Sequence, residues 1–275
     1  MKTECQICPH HCKLDEGQTG FCHARVNHNG TIICKNYGKL TAIALDPIEK
    51  KPLRRFFPGS RILSAGSYGC NLRCLFCQNS EISMTDGNQI NTDKVSPEEL
   101  VHHASELKNK GNIGIAYTYN EPLVGWEYVR DSAVLAKSRG LVNVVVTNGY
   151  ICSGPLMELL PDIDAMNIDL KAFTESFYNK MSGDLETVKT TITLAAKQCH
   201  VEVTTLIIPG ENDSEDEMNE LSLWLSSVNP EIPLHITRFF PRWHMLDRDA
   251  TSVETISWLS EIAKRNLRYV YMGNC

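Results

Sequence analysis

Three cysteines separated by three and then two residues form the most distinctive pattern in this sequence. They are Cys70, Cys74 and Cys77, within the stretch GCNLRCLFCQN at residues 69–79. Thiolate sulfur is a soft ligand that selects zinc, copper(I) or iron–sulfur clusters. Three thiolates on a cube of four irons leave one iron without a protein ligand. The pattern therefore predicts a metal centre at which a small molecule can bind.

A structural zinc site is the first alternative for these cysteines. Such a site is closed by a fourth Cys or His, and residues 59–101 contain none besides the three cysteines themselves. Zinc would therefore need a ligand from a distant part of the chain. Disulfides are a second alternative, but eleven cysteines cannot all pair and nothing marks the chain as secreted.

A second group of cysteines lies near the amino terminus. It comprises Cys5, Cys8, Cys12 and Cys22, with His10, His11 and His23 between or beside them. Four thiolates at these spacings can hold a tetrahedral zinc ion or a second iron–sulfur cluster. A segment with so few apolar residues would gain much of its order from the metal. We predict a second metal site of either kind, with free surface thiols as the alternative.

The overall composition is that of an ordinary globular protein, with 42% hydrophobic and 22% charged residues among 275. A net charge of −6 gives no electrostatic reason to expect binding to nucleic acid or to an anionic membrane. No run of 18 or more apolar residues occurs, so we expect no membrane span. Because thiols that bind metal must stay reduced, we expect the protein in the cytoplasm.

From residue 61 onward, apolar segments of strand length alternate with helical patterns. The predicted strands are residues 62–65, 113–118, 142–147, 165–170, 201–208, 234–238 and 269–272. The predicted helices are residues 96–110, 126–138, 156–160, 176–181, 185–197, 215–227 and 253–265. This alternation predicts an α/β fold with a parallel sheet and crossover helices. The length suits one barrel-like domain with a small additional segment.

We predict a boundary between two parts of the chain after residue 58. Residues 31–34 and 40–44 are predicted as short strands of a hairpin, and residues 46–52 and 58–59 as a connector. Residues 1–58 then form a Cys-rich metal-binding segment, and residues 59–275 form the barrel. Cys34 lies in a predicted strand and is interpreted as a small core residue.

Polar residues follow the predicted strands at their carboxyl ends, where parallel α/β folds build their binding sites. The candidates are Glu121, Asn148, Asp169 and Lys171, with His244 as a minor candidate that is first interpreted as an ordinary histidine. Because these residues would meet at one edge of the sheet, they predict a ligand site near the three cysteines.

A structural role is the alternative for each of these residues. Glu121 precedes a proline and can cap a turn, and Asn148 belongs to a common turn dipeptide. Asp169 and Lys171 lie on the same side of an extended chain and can form a simple ion pair. Phe76 can pack on a planar ligand or belong to the core.

The cysteine pattern, with Phe76 directly before the last cysteine, resembles the signature of the radical S-adenosylmethionine (SAM) superfamily. The resemblance implies a [4Fe-4S] cluster on Cys70, Cys74 and Cys77, whose free iron binds the amino and carboxylate groups of SAM. Reductive cleavage of SAM then gives a 5'-deoxyadenosyl radical that abstracts hydrogen from a substrate. The implied fold is a partial TIM-type (β/α)6 barrel, and the implied partner is an electron donor such as flavodoxin or ferredoxin.

Further stretches narrow this resemblance. They are DPIEKKPL at residues 46–53, YTYNEP at 117–122, MNIDLKAF at 166–173 and the amino-terminal cysteines. Together they resemble the radical SAM enzyme of the AmmeMemoRadiSam system, a family related to the pyruvate formate-lyase activating enzymes. This resemblance implies companion proteins of the same system and a substrate that the sequence does not identify.

The resemblance also implies roles in SAM binding. Glu121 matches a residue that contacts the SAM amino group in a Gly-Gly-Glu motif, although this chain has Tyr119 and Asn120 in place of the glycines. Asp169 and Lys171 match a pair that activating enzymes use toward SAM. Asn148 lies in the matching Thr-Asn-Gly turn, and Phe76 is placed to pack on the adenine.

Three kinds of function follow as hypotheses. The first is a radical SAM enzyme, with a glycyl-radical-enzyme activating enzyme as its variant that oxidises a glycine of a partner protein. The second is an iron–sulfur electron carrier or redox sensor, and the third is a zinc-stabilised binding module. Cys152 and Cys199 are interpreted as buried structural cysteines, with a substrate-radical role as the alternative.

Overall fold

An eight-stranded sheet forms the centre of this computed structural model, which describes residues 2–275. In chain order the strands are β1 (Thr3–Glu4), β2 (Lys13–Leu14), β3 (Arg25–His28), β4 (Thr31–Cys34), β5 (Lys39–Leu40), β6 (Ala42–Pro47), β7 (Arg61–Gly66), β8 (Asp93–Lys94), β9 (Asn112–Tyr117), β10 (Val142–Thr147), β11 (Ala165–Asp169), β12 (His200–Ile207), β13 (Leu234–Arg238) and β14 (Val270–Gly273).

The helices lie mainly between these strands. In chain order they are α1 (Ser80–Ser83), α2 (Pro97–Glu106), α3 (Trp126–Ser138), α4 (Ser153–Leu159), α5 (Glu175–Lys180), α6 (Leu185–Ala195), α7 (Glu215–Val228) and α8 (Val253–Ala263). Short 3-10 turns occur at Ile48–Lys50, Leu107–Lys110, Pro122–Gly125 and Leu160–Asp162. Within residues 2–275, none of the helices has both the length and the apolar character needed to cross a membrane.

Seven neighbouring strands of the central sheet run parallel, in the order β14-β13-β12-β11-β10-β9-β7. Strand β6 extends the sheet in antiparallel register, with Ala42 opposite Gly66 and Pro47 opposite Arg61. The edges at β6 and β14 do not pair with each other, so the barrel is partial. The predicted α/β fold with a parallel sheet is therefore confirmed.

The two faces of the sheet bury different partners, because successive side chains of a strand point to opposite sides. The outer face packs against the helices through residues such as Leu63, Ile115 and Ile168. The opposite face, which we name the inner face, carries a separate apolar cluster from four strands: Ile62, Ala116, Val144 and Ala165. These four side chains have no exposed surface.

Residues 48–55, which we name the strap, cross the inner face. Most of this stretch is predicted as a connector, but Ile48 and Leu53 are fully buried in the inner-face cluster. Burial of each such side chain contributes about 1.5–3 kcal/mol. The side-chain amide of Asn167 donates to the carbonyl oxygen of Pro52 at 3.0 Å. The strap thus fills the lower part of the barrel interior.

A buried carboxylate anchors the end of the strap. Glu202 on β12 has no exposed surface and accepts the backbone N–H groups of Arg54 at 3.0 Å and Arg55 at 2.7 Å. The ring nitrogens Nε2 of His200 and His235 lie 2.9 and 2.6 Å from its oxygens. Burial opposes ionisation, but these hydrogen bonds lower the pKa of Glu202 to about 2. The carboxylate is therefore charged at neutral pH.

The start of α2 follows the predicted capping pattern. The hydroxyl of Ser96 accepts the backbone N–H of Glu99 at 3.2 Å, and the side chain of Glu99 accepts the backbone N–H of Ser96 at 2.7 Å. Pro97 occupies the first helical position, where its missing N–H is not needed. The predicted start of this helix is confirmed.

The amino-terminal segment has small strands of its own. Strands β1 and β2 pair antiparallel, and β3 pairs with β4. The predicted hairpin of residues 31–34 with residues 40–44 is wrong, because Arg25–His28 takes the place of the second strand. Asn29 and Gly30 have φ angles of 52° and 74°, which a two-residue hairpin turn requires. The shorter connection therefore determines the pairing.

Residues 40–44 contribute instead to two other strands. Strand β5 pairs with β8, and β6 pairs with β7 at the edge of the central sheet. The central sheet thus begins before residue 59, the position at which we predicted the barrel to start. The division of the chain into residues 1–58 and 59–275 stays a prediction about folding units.

Candidate functional site

The three central cysteines lie on the loop that follows β7, at the carboxyl edge of the parallel strands. Gly69 precedes Cys70 with a φ angle of 87°, and a side chain on Gly69 would come within 2.5 Å of the carbonyl oxygen of Cys22. The position therefore requires glycine both for its backbone angle and for space. Cys74 is buried, and Cys70 and Cys77 are half-buried.

Two N–H groups point toward the sulfur of Cys70. The backbone nitrogen of Leu72 lies 3.4 Å from it, and Nδ2 of Asn148 lies 3.6 Å from it. Burial raises the pKa of the Cys74 thiol to about 11 and the pKa of Cys70 well above its usual range. Thiols in this environment stay protonated at neutral pH unless a bound cation compensates the charge of the thiolate.

Glu121 and Asn148 are joined by hydrogen bonds between the ends of β9 and β10. The carboxylate of Glu121 accepts the backbone N–H groups of Asn148 at 2.7 Å and Leu123 at 3.0 Å, and the hydroxyl of Thr147 at 2.8 Å. Burial raises the pKa of Glu121 to about 7, although these hydrogen bonds act in the opposite direction. The turn-capping role that the sequence analysis named as an alternative is thus present.

Asp169 and Lys171 form the ion pair that the sequence analysis named as an alternative. Nζ of Lys171 lies 2.9 Å from Oδ2 of Asp169. Burial disfavours the charge on Lys171, but Asp169 and the nearby Cys74 sulfur raise its pKa above the usual value. The backbone N–H of Lys171 also donates to the hydroxyl of buried Tyr178 at 3.0 Å. Lys171 therefore supplies a fixed positive charge near the cysteine loop.

The two remaining candidates lie beside the loop. Phe76 is buried and packs near Phe177, with ring centroids 6.1 Å apart, so it belongs to the core in this structure. His244 has an exposed side chain, and its backbone N–H donates to the carbonyl oxygen of Leu75 at 3.0 Å. This contact between the two backbones places the loop after β13 against the cysteine loop.

The amino-terminal segment packs directly on the cysteine loop. Nε2 of His10 lies 2.8 Å from the carbonyl oxygen of Asn71. The guanidinium of Arg73 donates to the carbonyl oxygens of Cys70 at 2.8 Å and of Phe21, and it lies 3.9 Å from the centre of the Phe21 ring. One face of the cysteine loop is therefore covered by the segment that carries the second group of cysteines.

The second group of cysteines surrounds a small cavity in this segment. Its lining includes all four sulfur-bearing residues: Cys5, Cys8, Cys12 and Cys22. Burial raises the pKa of the Cys8 thiol to about 12 and that of Cys22 to about 11, and the neighbouring thiols add to both shifts. The segment thus gathers the four predicted ligands, and their binding to a metal stays a prediction.

Side chains of the described residues do not already form a single-ion site in this structure. In the part of the chain from residue 2 to residue 275, no three His, Cys, Asp or Glu side chains are arranged to hold one metal ion. A four-iron cube is larger than a single ion, so the cysteines that bind it lie farther apart. For Cys70, Cys74 and Cys77 the chemistry of the donors fits such a cluster, because N–H groups that face sulfur and a nearby cation stabilise thiolate ligands.

The other cysteines lie outside this site. The backbone N–H of Cys152 donates to the carbonyl oxygen of Ile7, and its sulfur lies 3.8 Å from a ring nitrogen of His11. Cys199 directly precedes β12, at the amino end of the strands, and burial raises its pKa to about 12. Cys34 is half-buried in β4. The interpretation of Cys199 as a structural residue agrees with its position.

Several residues that shape the site were not identified from the sequence. Asn71 accepts the side-chain amide of Asn148 at 2.9 Å and donates to the carbonyl oxygen of Tyr150 at 2.6 Å. Asn120 accepts the backbone N–H of Ser67 at 2.9 Å. Both asparagines lie within the quoted motifs, but uncharged residues in polar loops carry no distinctive signal of function.

The comparison with protein families gives one clear match. The sequence profile of the Radical SAM superfamily matches residues 65–221, more than half of the chain. The matched region contains the cysteine loop and the candidate residues at the ends of β9, β10 and β11.

Relatives and solved structures agree with this match. "Uncharacterized protein MJ0808" of Methanocaldococcus jannaschii is 41% identical over 276 residues, which cover 99% of this chain and 81% of that protein. "Pyruvate formate-lyase 1-activating enzyme" of Escherichia coli K12 is 27% identical over 168 residues, which cover 60% of this chain and 68% of the enzyme. The crystal structure of Streptococcus suis SuiB bound to S-adenosylmethionine has a TM-score of 0.60 at 13% identity, with 78% of this chain and 52% of that chain covered. The likeness to SuiB shows a shared fold.

Proposed function

Because the chain belongs to the radical SAM superfamily, we propose that it is an enzyme that cleaves SAM reductively and abstracts hydrogen from a substrate. The cysteine loop at the carboxyl edge of the parallel strands, with Asn148 donating toward the sulfur of Cys70, is the observation that carries the proposal. A pure electron carrier or redox sensor would have no use for Glu121, Asp169 and Lys171 at the same edge.

In this proposal Cys70, Cys74 and Cys77 hold a [4Fe-4S] cluster. A cluster held there would supply the electron for reductive cleavage of a C–S bond of SAM, which yields methionine and a 5'-deoxyadenosyl radical. Asn148 and the backbone of Leu72 stabilise the ligand sulfur of Cys70 through their N–H groups. The amino-terminal segment covers one side of the loop and excludes water from it.

The residues around the loop bind and orient SAM. The buried carboxylate of Glu121, with a pKa near 7, becomes fully ionised when an ammonium group approaches, so it suits the amino group of SAM. Asp169 and Lys171 offer one charge of each sign toward the zwitterionic end of the ligand. Phe76 packs on the adenine after a small movement from its place beside Phe177.

The remaining assignments are parts of the same proposal. An electron donor such as flavodoxin or ferredoxin reduces the enzyme in the cytoplasm. The amino-terminal cysteines hold zinc or a second iron–sulfur cluster. Following the resemblance to the AmmeMemoRadiSam system, the substrate is handled together with companion proteins of that system.

A glycyl-radical-enzyme activating enzyme is the second candidate. It is favoured by the 27% identity to an enzyme named as the activating enzyme of pyruvate formate-lyase 1. In that case the hydrogen comes from a glycine of a partner protein. In the first case it comes from another molecule, so the origin of the hydrogen separates the two candidates.

The test uses the full-length protein after anaerobic reconstitution with iron and sulfide. We expect 5'-deoxyadenosine to form when the reduced protein is incubated with SAM. A Cys74→Ala variant should form none above background, whereas Cys199→Ala, a matched change at the opposite end of the strands, should keep the activity. Equal product from the wild type and Cys74→Ala would refute the proposed function. Deuterated candidate substrates and a deuterated glycyl-radical enzyme then show whose hydrogen enters 5'-deoxyadenosine.

A further inference from the structure

Tyr119 adopts a backbone conformation that bulky residues rarely take. It lies in the turn between β9 and Glu121, and its φ angle is 74°. This left-handed region is free of strain for glycine but costs energy for a residue with a large side chain. The surrounding structure must therefore hold Tyr119 in place.

Three contacts fix the Tyr119 side chain on the inner face of the sheet. Its hydroxyl donates to the carboxylate of Asp46 at 2.8 Å, and Nζ of Lys51 lies 4.6 Å from the centre of its ring. The ring also lies against Gly66, where an added side-chain carbon would come within 2.5 Å of it. The ring thus fills a space that exists only because residue 66 is glycine.

Asp46 is the centre of this group of contacts. Its carboxylate also accepts hydrogen bonds from Nζ of Lys51 and the hydroxyl of Ser64, both at 2.9 Å. Burial opposes ionisation, but the three donors hold the pKa of Asp46 well below its usual range. Lys51, at 3% exposure, lies inside the strap. The ion pair of Asp46 and Lys51 therefore belongs to the interior of the protein.

The backbone of the Tyr119 turn is connected to the cysteine loop. The carbonyl oxygen of Tyr119 accepts the side-chain amide of Asn79 at 2.7 Å. The side chain of Asn120 accepts the backbone N–H of Ser67 at 2.9 Å and donates to the carbonyl oxygen of Gly69 at 3.0 Å. The position of Glu121 relative to the cysteine loop therefore depends on the backbone conformation of Tyr119.

We propose that Asp46 and Lys51 are positioning residues for SAM binding, which hold Tyr119 in its left-handed conformation and so orient Glu121 beside the cysteine loop. The inference rests on the proposed function, because the ligand that Glu121 meets is SAM. This chain has Tyr119 and Asn120 before Glu121, so the left-handed conformation at position 119 needs the support that Asp46 and Lys51 give to the Tyr119 side chain. Asp46 and Lys51 of the DPIEKKPL stretch thus stabilise a backbone conformation that glycine would adopt without support.

The test measures the affinity of the reconstituted, full-length enzyme for SAM by equilibrium dialysis under anaerobic conditions. We expect Asp46→Asn to weaken SAM binding about tenfold, because it replaces a charged hydrogen-bond acceptor. Tyr119→Phe, which removes only the hydroxyl, should weaken binding in the same direction. Lys50→Met is the matched control, because Lys50 contacts the same carboxylate at 3.4 Å but has a side chain that is 67% exposed. This control should bind SAM within twofold of the wild type.

The Tyr119→Gly variant distinguishes a positioning role of Asp46 from a general effect of Asp46 on stability. Glycine takes the left-handed conformation without support, so Asp46→Asn should have little further effect in a Tyr119→Gly background. A loss of affinity on Asp46→Asn that is the same in both backgrounds would overturn the inference, as would unchanged affinity in both Asp46→Asn and Tyr119→Phe. Absence of SAM binding in the wild type would instead overturn the proposed function, and this inference with it.

Discussion

The side-chain amide nitrogen of Asn148 lies 3.6 Å from the sulfur of Cys70. The same residue reaches Glu121 through its backbone N–H at 2.7 Å. Asn148 therefore connects Cys70, a proposed cluster ligand, to the buried carboxylate proposed for SAM binding. Hydrogen bonds to sulfur are one of the means by which proteins tune the potential of a cluster.

Replacing Asn148 by Asp should make the cluster harder to reduce. The change keeps the side-chain oxygen that accepts the backbone N–H of Tyr150 at 2.8 Å, but it removes the amide donor to Cys70 and Asn71 and adds negative charge. Loss of one such hydrogen bond is worth about 1 kcal/mol, or roughly 40 mV for one electron. A redox titration followed by electron paramagnetic resonance measures the shift. An unchanged potential with an intact cluster would contradict the assignment.

Protonation of Glu202 should weaken the fold in acid. Its pKa of about 2 in the folded protein is below the ordinary value of 4.5, so its contribution is complete above pH 4.5 and is lost as the pH falls toward 2. This contribution amounts to about 3 kcal/mol. In Glu202→Gln we expect lower stability at pH 7 and a flatter dependence of stability on pH below 4.5, measured by urea unfolding.

The control for this experiment removes a carboxylate from the surface. The side chain of Glu158 is 62% exposed, so Glu158→Gln should follow the acid unfolding of the wild type. If Glu202→Gln and the wild type lost stability in parallel between pH 4.5 and 2, the role assigned to the anchor of the strap would be wrong.

Gly69→Ala should separate the cysteine loop from the amino-terminal segment. The new methyl group meets the carbonyl oxygen of Cys22 at 2.5 Å, in addition to the unfavourable φ angle of 87°. We expect a destabilisation of about 3 kcal/mol. Gly210→Ala has a similar φ angle of 74° but no neighbour within 4 Å, so it should cost only about 1 kcal/mol. Equal effects in thermal unfolding would argue against the close contact.

The amino-terminal cysteines should bind metal independently of the central loop. In anaerobically purified protein, elemental analysis of a Cys8→Ala/Cys12→Ala variant should show less zinc or iron than the wild type. Hydrogen exchange should become faster in residues 3–34, because a segment with little apolar surface depends on its metal for order. Identical metal content in the two proteins would show that these thiols are free.

The parallel sheet was accessible from the sequence because its strands are short, apolar and separated by helical patterns. Val142–Thr147 agrees with the predicted strand, and Ser96 begins α2 as its capping pattern predicts. The topology then determines which residues meet, since the ends of parallel strands share one edge. That rule was sufficient to bring Asn148 and Asp169 to the same part of the molecule.

The burial of the strap in the barrel interior could not be predicted from the sequence. Its lysines, arginines and prolines are typical of an exposed connector, and its polar groups are satisfied by residues far away in the chain. Glu202, which anchors Arg54, lies 148 positions later in the sequence. The left-handed conformation of Tyr119 likewise depends on tertiary contacts that no local pattern contains.

The strap also limits how far a ligand can extend into the barrel interior. Asn167, which holds the carbonyl of Pro52, lies two residues before Asp169 on the same side of β11. At the rise of a β-strand this separation is roughly 7 Å. A ligand that extends beyond Asp169 therefore meets the strap after about one side-chain length. A ligand that reaches past Asp169 must therefore be short in that direction.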